Sequence, residues 1–308
     1  MKYDLICIGM ALVDSIIKGF DPKPISASGY RAVSCTLNAG GEAVNEAIAA
    51  SRLGLRTAIL CALGRDDAGT LVKSALNQAD VDTVLIIDTK QTPVTTMFVN
   101  DDGTRKSITN EAHRVHFDWG KCMSCFNDTR AIVLGSLFRA PFDEPDIIHS
   151  VISAAKAAGI QIFADTKLPN FRKLTLDDIR DSLPMIDFIT PNEDEARFFT
   201  GKDDPEAMAE VFLANGVKNV IIKLGSKGCY LRNREKALRL PAYPIEAVDA
   251  TGAGDNFVAG FASEMIRGKS MEEALRFGNA CGAICTTEVG AGTALKSREQ
   301  VLQWMAIK

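Results

Sequence analysis

Apolar residues gather in short Val/Ile-rich runs at 4–9, 57–61, 83–87, 131–134, 160–164, 187–190 and 219–223. Each is too short for a helix and apolar at consecutive positions, as a strand buried on both faces is. Between the runs, apolar residues recur at helical spacing over 42–53, 67–78, 146–158, 192–199 and 205–214. Two longer helical patterns follow at 253–267 and 271–287. Strand and helix therefore alternate, which predicts a parallel sheet covered by helices on both faces. No internal repeat or low-complexity run interrupts the alternation.

Two stretches break this rhythm. Residues 10–38 carry short alternating segments punctuated by Gly19, Pro22, Pro24 and Gly29, with no helical pattern. Residues 92–112 read as a hairpin: Val94 to Asn100, a turn at Asp101-Asp102-Gly103, then Arg105 to Asn110. An Asp-Gly step between extended segments is a strong hairpin signal. The two insertions together predict a small separate β-sheet, either a lid or a decorated sheet edge.

A chain of 308 residues with 46% hydrophobic content suits one large α/β domain or two compact ones. The net charge of −4 gives no basic surface for nucleic acid or an anionic membrane, so an anionic ligand must be held by a local site. Asp4 within a short first apolar run argues against a signal peptide, and no stretch is long enough to span a bilayer; a cytoplasmic location is expected. Eight cysteines without a secretory signal read as reduced thiols. Cys7, Cys61 and Cys229 fall in strand-like runs, and Cys281 and Cys285 on a predicted helix. Cys122-Met123-Ser124-Cys125 is a lone C-x-x-C without the second pair that a zinc site needs.

The segment richest in chemistry is Asp249-Ala250-Thr251-Gly252-Ala253-Gly254-Asp255. Gly252, Ala253 and Gly254 leave the backbone almost bare, and Phe257, Phe261 and Met265 continue at helical spacing. A small-residue loop opening a helix offers N–H groups and the positive end of the dipole to an anion. A carboxylate in that mouth, Asp255, can take the proton of a hydroxyl as a terminal phosphoryl group arrives. It can equally serve as a helix cap, and the bare pattern leaves both readings open. No Gly-Lys-Ser/Thr follows the glycines, so the loop is not of the Walker A type.

These residues resemble a motif of the ribokinase-like (PfkB) carbohydrate kinases, with Ala250 where Thr is common. Ala39-Gly40-Gly41-Glu42-Ala43-Val44-Asn45 and the residues on to Gly54 resemble the family's other motif, and the order of elements agrees over essentially the whole chain. The resemblance implies a three-layer α/β/α sandwich with a mostly parallel central sheet. It also implies a single kinase domain over 1–308, with a β-sheet lid from the insertions at 10–38 and 92–112. The implied activity is ATP-dependent phosphoryl transfer to an alcohol, with a homodimer formed through the lid.

Residue by residue, the resemblance makes Asp255 the catalytic base, with the amides of Gly252, Ala253, Gly254 and Asp255 as the anion hole. It assigns Asp14, Gly40, Gly41 and Asn45 to the sugar pocket. Asn192 and Glu195, in an N-x-x-E motif after a strand, help hold Mg²⁺, partly through water; the same pair fits a capping box. Lys223, Gly225, Ser226 and Gly228 line the nucleotide, and Asn279 approaches its adenine. Some family members use a monovalent cation, which the resemblance places at Asp249, Thr251, Cys285, Glu288 and Gly290. Ala294 stands where a serine is often found.

The substrate is less legible. Glu42 follows the glycine pair where ribokinases usually carry Lys, and a second carboxylate beside Asp14 disfavours an already phosphorylated sugar. Arg105 and Lys106 in the hairpin point the other way. No clear pair of aromatics to stack a nucleobase stands out, although Phe98, Phe138 and Phe142 lie in plausible regions. A neutral sugar such as ribose, fructose or a related ketose ranks first, a nucleoside second and an acidic or phosphorylated sugar third. Outside enzymes, a sugar- or nucleotide-binding regulator remains, although it has no use for Asp255.

Overall fold

The computed structural model describes residues 1–19, 31–99, 105–110 and 122–307. Its main sheet has eight strands in the order β14-β13-β12-β11-β10-β9-β1-β4. They are β1 (Tyr3–Ile8), β4 (Thr57–Leu60), β9 (Thr129–Leu137), β10 (Gln161–Thr166), β11 (Phe188–Ile189), β12 (Asn219–Lys223), β13 (Cys229–Asn233) and β14 (Ala237–Leu240). The strands from β4 to β12 pair in parallel; β13 and β14 close one edge antiparallel. β1 explains the continuous apolar runs: Leu5 and Cys7 face one core, while Tyr3, Ile6 and Ile8 face the other.

The first core is covered by α1 (Glu42–Arg52), α2 (Asp67–Gln78), α6 (Ala253–Ile266) and α7 (Met271–Cys285). The second lies under α3 (Pro145–Ala157), α4 (Glu193–Thr200) and α5 (Pro205–Ala214). This is the expected three-layer sandwich. A separate four-stranded sheet, ordered β3-β2-β7-β8, comes from the two insertions: β2 (Leu12–Lys18), β3 (Ser34–Gly40), β7 (Val94–Val99) and β8 (Arg105–Thr109). Pro22, Pro24, Gly29, Asn100 and the Asp101-Asp102-Gly103 turn lie outside the described residues. Among those described, no helix is long and apolar enough to cross a membrane.

Three elements depart from the sequence reading. The run at 83–87 is not a strand: Asp82 Oδ1 accepts the Val84 amide at 2.9 Å, and the resulting turn leaves Val84 67% exposed. Pairing starts only at β6 (Ile87–Thr89), beside β5 (Ala62–Gly64). The β13–β14 hairpin turns on Asn233, whose Oδ1 accepts the amides of Glu235 and Lys236 at 2.9 and 2.7 Å. The terminal helix α8 (Arg298–Ile307) has a weak apolar stripe but a strong anchor. Arg298 Nε and Nη2 each donate at 2.8 Å to one of the two oxygens of Glu264, a 3%-exposed residue on α6.

Cutting one partner from such a pair strands a buried charge. Arg298→Ala should destabilise the fold by roughly 2–4 kcal/mol, read from the urea midpoint, whereas Arg298→Ala with Glu264→Gln should recover most of that loss.

Candidate active site

The chemistry-bearing residues meet at the carboxyl ends of the parallel strands, where open α/β sheets bind their ligands. Asp165 and Thr166 end β10, Lys223 ends β12, and Thr190 follows β11. The starts of α1 and α6 complete the cluster, with Asp14 added from β2 of the small sheet.

The start of α6 explains why an anion belongs here. α2, α4, α5 and α7 each begin on a side chain that caps the helix, from Asp66, Asn192, Asp204 and Ser270. α6 begins on Gly252, which has φ 76° and offers no side-chain cap. A Cβ there would collide with Ala291 as well as strain the backbone. The amides of Gly252, Gly254 and Asp255 find no backbone acceptor among the described residues. The expected fourth donor of the anion hole is spent: Ala253 N–H turns back to the Ala250 carbonyl at 3.3 Å. Three open amides at a dipole end make an anion cradle.

Asp255 sits in this mouth at 6% exposure and caps nothing. Its Oδ2 accepts Asn45 Nδ2 at 2.7 Å, joining the two sequence motifs. Its Oδ1 lies 3.7 Å from Lys167 Nζ. Burial pushes the carboxyl up; the Lys167 charge and the Asn45 bond pull against that, Glu42 and Asp165 add to it, and the net is above its ordinary value. Asp14 crowds Gly40 so closely that a Cβ on the glycine would strike Oδ2. Burial, then the charges of Glu42 and Asp255, raise Asp14 to about 6.

Three residues outside the sequence reading, two of them buried, complete the cluster. Asp165 is fully buried; its Oδ1 takes Lys223 Nζ at 2.5 Å and Thr190 Oγ1 at 2.8 Å. Lys167 lies against Asp255, Glu42 and Asp165. Burial alone would lower its pKa, but those carboxylates and Glu195 outweigh burial and hold it well above its ordinary value. Glu46 is buried with neither oxygen hydrogen-bonded, and burial followed by the charges of Asp165 and Asp255 push it well up. Each of Glu46, Asp165 and Asp255 offers an oxygen within 4.8 Å of the others. The sequence held a signal for two of them, since Asp165 and Lys167 directly follow a buried parallel strand. Glu46 hides on the apolar face of α1.

Asn192 and Glu195 form the capping box in full. Asn192 Oδ1 accepts Glu195 N, and Glu195 Oε2 accepts Asn192 N, both at 2.9 Å, with Thr166 Oγ1 on Oε2 at 2.8 Å. Those oxygens fit Mg²⁺ through its waters, the mode that suits a reluctantly dehydrated ion. Lys223 stands over the anion cradle: a Cβ on Gly254 would lie 3.2 Å from its Nζ. Gly225 and Ser226 are exposed on the turn after β12, and Gly228 is buried at φ 93°. Asn279 is buried and donates to the Pro241 carbonyl at 3.2 Å.

Phe138 and Phe142 are fully buried, so neither offers a ring to a substrate. Cys125 Sγ points to the Cys122 carbonyl at 2.9 Å in a short 3₁₀ turn. Asp249, Thr251, Cys285 and Gly290 do come together, with Glu288 exposed on the same loop. Their acceptors are supplied from within. Asp249 takes Thr251 N, Thr251 Oγ1 and Gly290 N at 3.0, 2.7 and 3.0 Å. Asn256 Nδ2 fills the space between the carbonyls of Gly252 and Ala291, 2.9 Å from each. The side-chain oxygens of Asp249 and Thr251 are thus already engaged from within.

The profile of the pfkB family carbohydrate kinases matches residues 3–298. The ribokinase of Haemophilus influenzae is 30% identical over 288 residues, spanning 86% of this chain and 87% of that protein. Among solved structures, Arabidopsis thaliana ribokinase complexed with ribose and ATP superimposes with a TM-score of 0.84 at 27% identity, covering 99% of each chain. A putative ribokinase II of E. coli in complex with ATP and Mg²⁺ gives 0.80 at 25% identity, again over 99% of each.

Two outcomes follow from the geometry. With Asp14 at about 6 and Asp255 also raised, kcat/KM should fall on acidification along a limb near pH 6; a limb below pH about 4 would contradict the burial of both acids. Initial rates in potassium and in a large organic cation should agree within about twofold, because a site already filled by internal donors gains little from an ion.

Proposed function

The chain belongs to the pfkB family of carbohydrate kinases, phosphotransferases with an alcohol acceptor, and from that membership we propose that it uses ATP to phosphorylate a neutral sugar, such as ribose, fructose or a related ketose, at a primary hydroxyl. The observation that carries this reading is the uncapped start of α6 with Asp255 buried in it and bonded to Asn45. The sugar lies between Asp14 and Asp255, whose carboxylates accept from its hydroxyls while the Asn45 amide orients Asp255.

Asp255 takes the proton of the acceptor hydroxyl. The freed oxygen attacks the terminal phosphorus in line, the bond to the bridging oxygen breaks, and its electron pair leaves on ADP. The open amides of Gly252, Gly254 and Asp255 take up the charge that gathers on the transferred group. The nucleotide lies along Lys223, Gly225, Ser226 and Gly228, with its base toward Asn279. Asn192 and Glu195 would hold Mg²⁺ through its waters, and the ion would supply charge that screens the phosphates.

Burial of Phe138 and Phe142 withdraws two of the three rings that lie in regions where a nucleobase could stack, which ranks a nucleoside below a sugar. Asp14 and Glu42 disfavour an acceptor that already bears a phosphate. Leu37 and Ile108 on the small sheet and Val33 just before β3 are 61, 66 and 84% exposed, which favours a second copy of the chain as the partner of that face. Sedimentation should give a dimer that Leu37→Glu weakens; a monomeric parent chain would refute that part.

With Mg·ATP, ADP release should be seen with neutral pentoses or hexoses and not with nucleosides. Turnover confined to nucleosides would overturn the substrate class. Asp255→Asn should lower kcat at least about a thousandfold with KM little changed; near-normal turnover would remove Asp255 as the base.

A further inference from the structure

Lys167 has a geometry unlike any other cation in the site. Its Nζ lies 3.6 Å from Glu42 Oε1, 3.7 Å from Asp255 Oδ1 and 3.9 Å from Asp165 Oδ2. All three are ion-pair separations, and all are longer than the roughly 2.7–2.9 Å of a charge-assisted hydrogen bond. Among the described residues the ammonium makes no hydrogen bond at all. Lys223 behaves differently: it is committed to Asp165 at 2.5 Å. Lys167 is thus held by the field of three carboxylates while its three N–H donors remain unspent. Its side chain keeps 22% exposure, so the head opens on the cleft and not into the core.

We propose that Lys167 is a catalytic residue of the phosphoryl transfer: its ammonium keeps Asp255 ionised beforehand and turns to the oxygens of the migrating group as Asp255 takes the proton. The charges require such a hand-over. Before transfer, Lys167 faces two carboxylates on the reacting side, Glu42 at 3.6 Å and Asp255 at 3.7 Å, and of these Asp255 is the one that takes the proton. Protonation of Asp255 cancels that charge at the moment when the oxygens of the transferred group need a cation. The proton passes from the acceptor hydroxyl to Asp255, the electron pair of the broken P–O bond leaves on ADP, and Lys167 stays protonated throughout. A cation already in place reorganises little during the step, which is why such groups stabilise a transition state more than a ground state. In-line transfer brings the phosphorus to within a few ångströms of the oxygen that Asp255 deprotonates, hence within reach of a flexible lysine head 3.7 Å from that carboxylate. The other charges facing the pair are Asp14 from β2, Glu42 and Glu46 from α1, Asp165 from β10, Glu195 from α4 and Lys223 from β12; Lys223 is the one other cation, and its Nζ is tied to Asp165 and not to Asp255.

This inference rests on Asp255 being the base, so Lys167→Met, Lys167→Arg and Asp255→Asn are assayed side by side on the sugar that the parent chain turns over. For Lys167→Met, kcat should fall about a hundredfold with the sugar KM within about threefold. The acid limb of kcat should move to higher pH, because a carboxyl that loses a neighbouring cation ionises less readily. Lys167→Arg should return the limb to its original position and recover part of kcat. Lys167→Gln, which keeps a donor beside the acids, replaces the methionine variant if thermal melting shows that the latter is unfolded. Unchanged kcat, an unmoved limb, or a rise confined to KM would overturn the proposal. If Asp255→Asn abolishes turnover and Lys167→Met does not, only the lysine's role fails. If Asp255→Asn turns over normally, the base assignment fails first.

Discussion

A carboxylate buried at the start of a helix that has no cap of its own is the constraint on which the rest of the site depends. The aligned peptides of α6 favour a negative charge at its start, and the glycines leave three amides open there. Burial nonetheless disfavours the ionised form of Asp255, and acids crowd around it. What makes the arrangement tenable is the pair of groups from elsewhere in the chain: the Asn45 amide at 2.7 Å and the Lys167 ammonium at 3.7 Å. One comes from α1, the other from the loop after β10, so the surroundings of Asp255 are assembled only when helix and sheet are both in place.

The same charges organise the two ends of the site. At one end, Asp14 and Glu42 form an acidic wall, with Gly40 kept bare so that Asp14 fits. At the other, Lys223 is tied down by Asp165, which is itself held by Thr190. Glu195 is fastened by Thr166 and by the cap of its own helix. Fixed groups of this kind place phosphates without reorganising, and phosphoryl transfer asks for little else.

The parallel core was readable because strands such as β1 are apolar at every position and the intervening helices keep their spacing. The Gly40–Asn45 and Gly252–Asp255 segments were readable because bare backbone before a helix is rare. The turn at 83–87 was misread since Thr83-Val84-Leu85 has strand composition, and only the Asp82 side chain diverts it. Helix α8 escaped notice because an ion pair to Glu264 anchors it more than any apolar stripe does. Asp165, Lys167 and Glu46 were passed over for a related reason. Their meaning lies in contacts between residues far apart in the chain, and a single charged side chain after a strand ordinarily reads as solvated. Ala253 shows a finer limit: four amides looked equivalent in sequence, and only the local turn to Ala250 removes one.

The most direct test of the central claim is the ionisation of Asp255 itself. Carboxyl-¹³C-labelled aspartate can be incorporated and the Asp255 resonance assigned by its loss in Asp255→Asn. Followed with pH, this carboxyl should titrate above the ordinary aspartate value of about 4 and yet be fully ionised at neutral pH. A resonance still protonated at neutral pH, or one that titrates at the ordinary value, would contradict a buried base held ready by Asn45 and Lys167.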